Sequence, residues 1–173
     1  MNTFVLEIWD DEGNACTFYT VRYEGNKNNE TDRFILRYEN DEDHKESLQE
    51  LLSLLIDIIA EDHGAKEIFF NRPENEVTAL PPKGKINLYD LHYPRFPLRL
   101  YAYRLSEQIV ILFSGGIKDA ATIQQSSLSM AWHEACAFAR AIDKAFGDGD
   151  IEIDYTQRKI ISTNNEESII LYL

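Results

Sequence analysis

The sequence predicts an α+β fold: an antiparallel sheet of about seven or eight short strands with two main helices. Three observations predict it. β-rich segments stand at both ends of the chain, two longer segments carry apolar residues at helical spacing, and an apolar run over Gln108–Ser114 has the character of a central strand. Nothing marks an internal boundary or repeat, so residues 1–173 read as a single domain.

The elements follow in order. Residues 3–9 alternate loosely, Asp11-Glu12-Gly13-Asn14 is a turn, and Thr17–Tyr23 is a second strand, which together make an N-terminal hairpin. The polar, Asn-rich run Glu24–Asp32 reads as a mobile loop, and Arg33–Tyr38 as a third strand. Asp43, three residues before Glu46, starts a helix in the manner of a capping box. Leu48, Leu51, Leu52, Leu55, Ile58 and Ile59 supply its buried face, and Gly64 ends it. Ala65–Phe70 reads as a short strand, and the proline-rich Asn71–Gly84 as a long connection. Leu98–Arg104 alternates, with Arg99, Tyr101 and Tyr103 on one face. Ser106-Glu107 turns the chain into Gln108–Ser114, which Gly115-Gly116 ends. Ser127–Phe146 is the second helix, with Leu128, Trp132, Ala135, Ala139, Ile142 and Phe146 on one side. Ile151–Tyr155 and Arg158–Ile161 form a C-terminal hairpin, and Ser168–Leu173 a last strand. The expected core includes Leu51, Leu55, Ile58, Ile111, Trp132 and Ile142.

Composition bounds the function. The 173 residues carry 17 Lys and Arg against 30 Asp and Glu, a net charge of −13, with 44% hydrophobic residues. That is a globular composition, not a fibrous or disordered one. Two cysteines, Cys16 and Cys136, exclude a disulfide scaffold and a four-cysteine zinc site. The start meets acid at Glu7 without a basic region, and the most apolar run, Leu51–Ala60, is too short to span a bilayer. A soluble, cytoplasmic protein with no membrane partner is the expectation. The charge is uneven. Between Pro81 and Lys118 six cations (Lys83, Lys85, Arg95, Arg99, Arg104, Lys118) face two acids (Asp90, Glu107), which leaves −17 for the rest of the chain. A polyanion is repelled by most of such a surface and attracted only to that strip.

Chemical motifs are sparse. His44, His63, His92 and His133 are scattered, and Trp132-His133-Glu134-Ala135-Cys136 lacks the second histidine of a zinc helix. His133 and Cys136 sit one turn apart without a further local ligand, so no metal and no cofactor are expected. Ser114-Gly115-Gly116-Ile117-Lys118 lacks the spacing of a phosphate loop, and there is no nucleophile elbow.

Two strands and their exit carry a resemblance. Leu98-Arg99-Leu100-Tyr101, a short turn, the aliphatic Ile109–Phe113, then Gly115-Gly116-Ile117-Lys118 resemble the sheet of the RelE/ParE superfamily of toxins, in its HigB-like, phage-derived branch. A helix before and one after the sheet fit as well. The resemblance implies a RelE-like core, to which the N-terminal hairpin and the C-terminal hairpin are extensions. It implies a metal-independent endoribonuclease that acts with the ribosome, in which the ribose 2′-OH attacks the adjacent phosphate. Carried over, Arg99, Tyr101 and Lys118 become the catalytic candidates; Arg95 and Tyr103, beside them, become candidates for substrate binding. An antitoxin or other protein partner and the ribosome or its mRNA are the implied partners, and no DNA binding is expected. Asp119 stands where the family carries a second cation, and the chain is longer and far more acidic than those toxins. A non-catalytic protein-interaction module on the same scaffold is the alternative, suggested by the acidic surface and the 12% aromatic content. A small-molecule site beneath the Asn71–Gly84 connection is a third reading.

Overall fold

The computed structural model describes residues 2–118 and 125–173, with side chains from 127 onward in the last helix. Its centre is a seven-stranded, mostly antiparallel sheet packed with helices, an α+β architecture. Strands β1 (Thr3–Asp10) and β2 (Thr17–Tyr23) form the expected N-terminal hairpin. Gly13 in its turn is required by contact: a Cβ there would lie 2.3 Å from the Ala60 carbonyl oxygen. That oxygen accepts the backbone N–H groups of Ala15 and Cys16 at 2.8 and 3.0 Å.

The segment read as a third strand is helical. Helix α1 (Glu30–Tyr38) starts at Asn29, whose side chain accepts the Asp32 N–H at 2.7 Å. Arg33–Tyr38 has the β-branched and aromatic content of a strand, but burial at Thr31, Phe34 and Tyr38 follows helical spacing. The cap and that buried face override local propensity. Thr31 fixes the position of α1 by donating its hydroxyl to the Phe113 carbonyl at 2.9 Å, while it accepts from Thr20 at 2.7 Å.

Helix α2 (Lys45–Ser53) continues as a π-helical segment over Leu54–His63, and Gly64 closes it at φ 79°. The expected Asp43 cap is absent: His44 occupies the N-cap, with no side-chain cap bond, and instead contacts Asp41 through Nδ1 at 3.0 Å. The π winding has a tertiary cause. Gly64 N–H reaches back to Ile59 O, the five-residue step, and the Ala65 N–H turns to Glu107 O at 2.7 Å. Ala60 O is then open to the β1–β2 turn. The wider winding also rotates the face, so that Ile59 is buried and Ile58 only half-buried, contrary to the core expectation.

Ala65–Phe70 is no strand but a 3-10 turn at Glu67–Phe69. Asn71–Gly84 is not a plain connection. It contains β3 (Pro73–Glu74) and β4 (Val77–Leu80), and β4 pairs with β7 (Leu98–Arg104) through Ala79↔Tyr101 and Leu80↔Leu100. Strands this short, among prolines, are too brief to show alternation. A separate ladder follows, β5 (Lys85–Ile86) with β6 (Leu91–His92), joined by a 3-10 turn.

β7 is antiparallel to β8 (Ile109–Ile117), as expected, but β8 runs through Gly115 and Gly116 rather than ending at them. Beside it, β2 pairs with β8 in parallel, so the sheet is mixed where a purely antiparallel one was expected. The chain between β2 and β8 returns over one face of the sheet, which brings two distant segments side by side in the same direction. Helix α3 (Gln125–Gly147) covers the other face. β9 (Ile151–Asp154) and β10 (Lys159–Ser162) form the C-terminal hairpin, which the Tyr19 hydroxyl anchors by accepting the Ile160 N–H at 2.8 Å. β11 (Ile169–Tyr172) pairs with β1 at the sheet edge.

β8 is buried on both sides. Val110 and Leu112 join Phe18, Leu100, Phe34, Leu51 and Leu55 in one cluster; Ile109, Ile111 and Phe113 join Phe4, Phe138 and Ile142 in the other. Double burial explains its near-continuous apolar sequence. Trp132, expected in the core, is half-buried; Phe138 fills the space above β8 instead, its ring stacked 5.9 Å from that of Phe113.

Leu55 lies wholly buried in the first cluster. Leu55→Ala should cost about 2–5 kcal/mol in a denaturant titration; a loss below about 1 kcal/mol would contradict this packing. Burial also pushes the Cys16 thiol up to about 12. In the folded protein at pH 8 a maleimide probe should leave Cys16 unlabelled, and unfolding should release it.

Candidate functional site

The two strands that close the right half of the sheet meet in a tight register. Arg99 stands directly opposite Gly116, and Leu100 opposite Gly115. A Cβ on Gly115 would lie 1.8 Å from the Arg99 carbonyl oxygen, so only glycine allows the strands to approach. One on Gly116 would meet Leu128 at 3.5 Å, an ordinary contact, so the close approach is confined to Gly115. Just before the glycines β8 bulges: Tyr101 faces the two residues Phe113 and Ser114.

This geometry builds a cleft of about 390 Å³, lined by Arg72, Pro73, Glu74, Lys83, Arg99, Tyr101, Lys118 and Leu128. Its four cations come from four places in the chain. Arg99 projects from β7 and donates Nη1 to the carbonyls of Phe96 and Leu98 at 2.8 and 2.9 Å. Lys118 leaves β8 with its N–H on Pro97 O at 2.6 Å. Arg72 precedes β3 and donates Nε to Pro81 O at 2.8 Å. Lys83 is held by Asn71, whose side chain accepts the Lys83 N–H and donates to its carbonyl, at 2.8 and 3.0 Å.

The electrostatics set this cleft apart. Among the described residues, eight lysines and arginines elsewhere pair with a carboxylate. Among the same residues Arg72, Lys83, Arg99 and Lys118 do not, nor do Lys27, Arg37, Lys85, Arg95 and Arg158; the cleft differs in gathering four such cations in one place. Burial, then the charge of Arg72, pulls the Arg99 guanidinium below its ordinary value. Arg72 is itself lowered by burial. Two like charges held partly out of water form a site that favours an anion. Among the described residues Glu74 is the one carboxylate in the lining, and its backbone carbonyl is pinned to α3 by Trp132 Nε1 at 3.0 Å.

Tyr101 is buried at 2% exposure, and its hydroxyl makes no hydrogen bond among the described residues. Burial, and then Glu74, raises its phenol well above the usual range, so it stays protonated at neutral pH.

The catalytic candidates Arg99, Tyr101 and Lys118 thus line one cleft. Arg95 and Tyr103 lie outside it. Arg95 is exposed in the turn before β7, at φ 52°. Tyr103 shares the face of Tyr101 but sits farther along the strand, where its hydroxyl donates to Asp143 at 3.1 Å. Sequence reasoning missed Arg72 and Glu74 and counted Lys83 only in the basic strip; the β3–β4 segment carries all three into place. Their signal was faint: Arg72 and Lys83 flank the prolines of that connection. Asp119 lies outside the described residues. Among the described residues no three His, Cys, Asp or Glu side chains are grouped to hold a metal ion. His133 rests on the ring of Trp132, with centroids 4.6 Å apart, and Cys136 is buried against β3.

Gly115→Ala should destabilise by at least about 3 kcal/mol, because backbone stands where its methyl must go. Gly147→Ala, which meets nothing within 4 Å, should shift stability by less than about 1 kcal/mol. Equal effects in thermal melts would contradict the close approach of β7 and β8. Compared with known proteins, the chain matches no family model, no curated protein and no solved structure.

Proposed function

We propose that this chain is a cytoplasmic, RelE/ParE-related protein whose basic cleft takes a phosphodiester of RNA and cleaves it without a metal, in concert with the ribosome. The observation that supports this reading is the gathering of Arg72, Lys83, Arg99 and Lys118 around the buried Tyr101 with no ion pair among the described residues. In this reading β7, β8 and the flanking helices are the RelE-like core, and the N-terminal and C-terminal hairpins are extensions of it.

The chemistry suits the residue types. The 2′-oxygen bonds to the adjacent phosphorus, its proton passes to the Glu74 carboxylate, and the bond from phosphorus to the 5′-oxygen breaks. Charge builds on the phosphorane oxygens, where the two guanidiniums and the two ammonium groups stabilise it. Tyr101, kept protonated by burial, hands its proton to the departing 5′-oxygen. The products are a 2′,3′-cyclic phosphate and a 5′-hydroxyl. Docking energy comes from the ribosome, because the acidic surface repels long RNA.

A second reading has an observation of its own. The edge strand β11 exposes Ile170, Tyr172 and Leu173, apolar side chains beside an unpaired strand edge. Such an edge suits a protein partner, an antitoxin among them.

Induced expression in a bacterial host tests the first reading. The wild type should arrest growth and leave cyclic-phosphate ends on translated mRNA; Arg99→Ala should lower cleavage about 100-fold or more. Intact mRNA in the presence of the wild-type protein would exclude the nuclease and favour the interaction module.

A further inference from the structure

The β5–β6 ladder begins two residues after Lys83 of the cleft and has a two-faced construction. Ile86 and Leu91 are directly paired, and both pack toward the core formed with α2. Lys85 and His92 are the next pair, and both are exposed. Opposed residues of a strand pair share a face, so the outer face of this ladder carries Lys85 and His92 together. Lys83, which lines the cleft, is two residues before Lys85, and the chain bends between them at Gly84, φ 73°. Arg95, exposed at φ 52°, follows β6 and precedes Phe96, whose carbonyl holds Arg99. The ladder is therefore tied to the cleft at both of its ends. Lys85 and Arg95 form no ion pair among the described residues, and Asp90 is the one acid between Pro81 and Arg95.

Resting on the phosphodiester reading of the cleft, we propose that Lys85, His92 and Arg95 form a second binding element, so that the protein grips a single-stranded RNA segment of several nucleotides. One phosphate sits among Arg72, Arg99 and Lys118. The neighbouring phosphates run over Lys83 onto the outer face of the ladder, where Lys85 and Arg95 take them and the exposed His92 ring offers a surface for a base. The arrangement suits a short, flexible strand. A duplex or a long chain brings many phosphates against the surrounding acids, whereas a short strand stays on the basic track. At 150 mM salt, acids farther away than about 8 Å are largely screened.

An NMR titration of the labelled full chain with diuridylate and hexauridylate at 150 mM salt tests this. Diuridylate should shift amide signals around Arg72, Arg99 and Lys118. Hexauridylate should shift those and also Lys85–Arg95, and bind at least about tenfold more tightly. The salt dependence should be steeper for hexauridylate by about 1.4 in log–log slope, about 0.7 for each added phosphate contact. The double variant Lys85→Gln with Arg95→Gln, both exposed positions, should bring hexauridylate down to the affinity of diuridylate and leave diuridylate unchanged. Equal affinity of the two RNAs, or equal loss of both in the variant, overturns the second element and leaves the cleft reading in place. No shift in the cleft with either RNA overturns both. A hexa-aspartate peptide that binds as tightly as hexauridylate overturns the assignment to RNA.

Discussion

The approach of Gly115 to the carbonyl of Arg99 governs the site. At 1.8 Å from that oxygen to the place a Cβ would occupy, no side chain fits between β7 and β8. The contact sets their register, and the register sets Arg99 opposite Gly116 and sends Lys118 out of the sheet two residues later. It also demands the bulge at Phe113 and Ser114, since the pairing shifts between Ala102↔Leu112 and Leu100↔Gly115. The Phe113 carbonyl receives the Thr31 hydroxyl, so α1 is tied to the same irregularity. Gly115 thus orders both the cleft and the seat of a helix on the opposite face.

The cleft is rigid for a further reason. Its arginines are held by backbone carbonyls rather than by carboxylates. A carbonyl fixes the guanidinium without cancelling its charge, so the field stays available to an anion. Keeping Arg72 and Arg99 near each other costs free energy, because both are partly removed from water and repel. That cost falls on the β3–β4 hairpin, which β7, Trp132 and Asn71 secure. A bound phosphate offsets it, which couples anion binding to the stability of this corner.

Charge is distributed to the same end. Most carboxylates stand on the surface away from the cleft, where eight cations among the described residues pair with them. The resulting field is repulsive at long range and attractive only near the cleft. Such a field favours an anion presented at close quarters over a polyanion met by diffusion.

Much of the architecture was legible from local pattern. The α2 and α3 segments and β7 carry a buried face that leaves a period in the sequence, and β8, buried on both faces, leaves a continuous apolar run. Arg99 and Tyr101 shared a strand face for the same reason, whereas Gly115-Gly116, read as the end of the strand, lie inside β8. What tertiary structure alone decided is what depends on partners distant in sequence. Arg33–Tyr38 became helical because Asn29 caps it and Thr31 finds Phe113. The end of α2 widened into a π turn because Ala60 O serves the β1–β2 turn. β2 came to lie parallel to β8 across the whole helical segment. Arg72, Glu74 and Lys83 reached the cleft through two strands too short to carry a pattern, whose pairing energy lies in β7 rather than in themselves. Periodicity records burial within an element; it does not record which distant backbone group an element will meet.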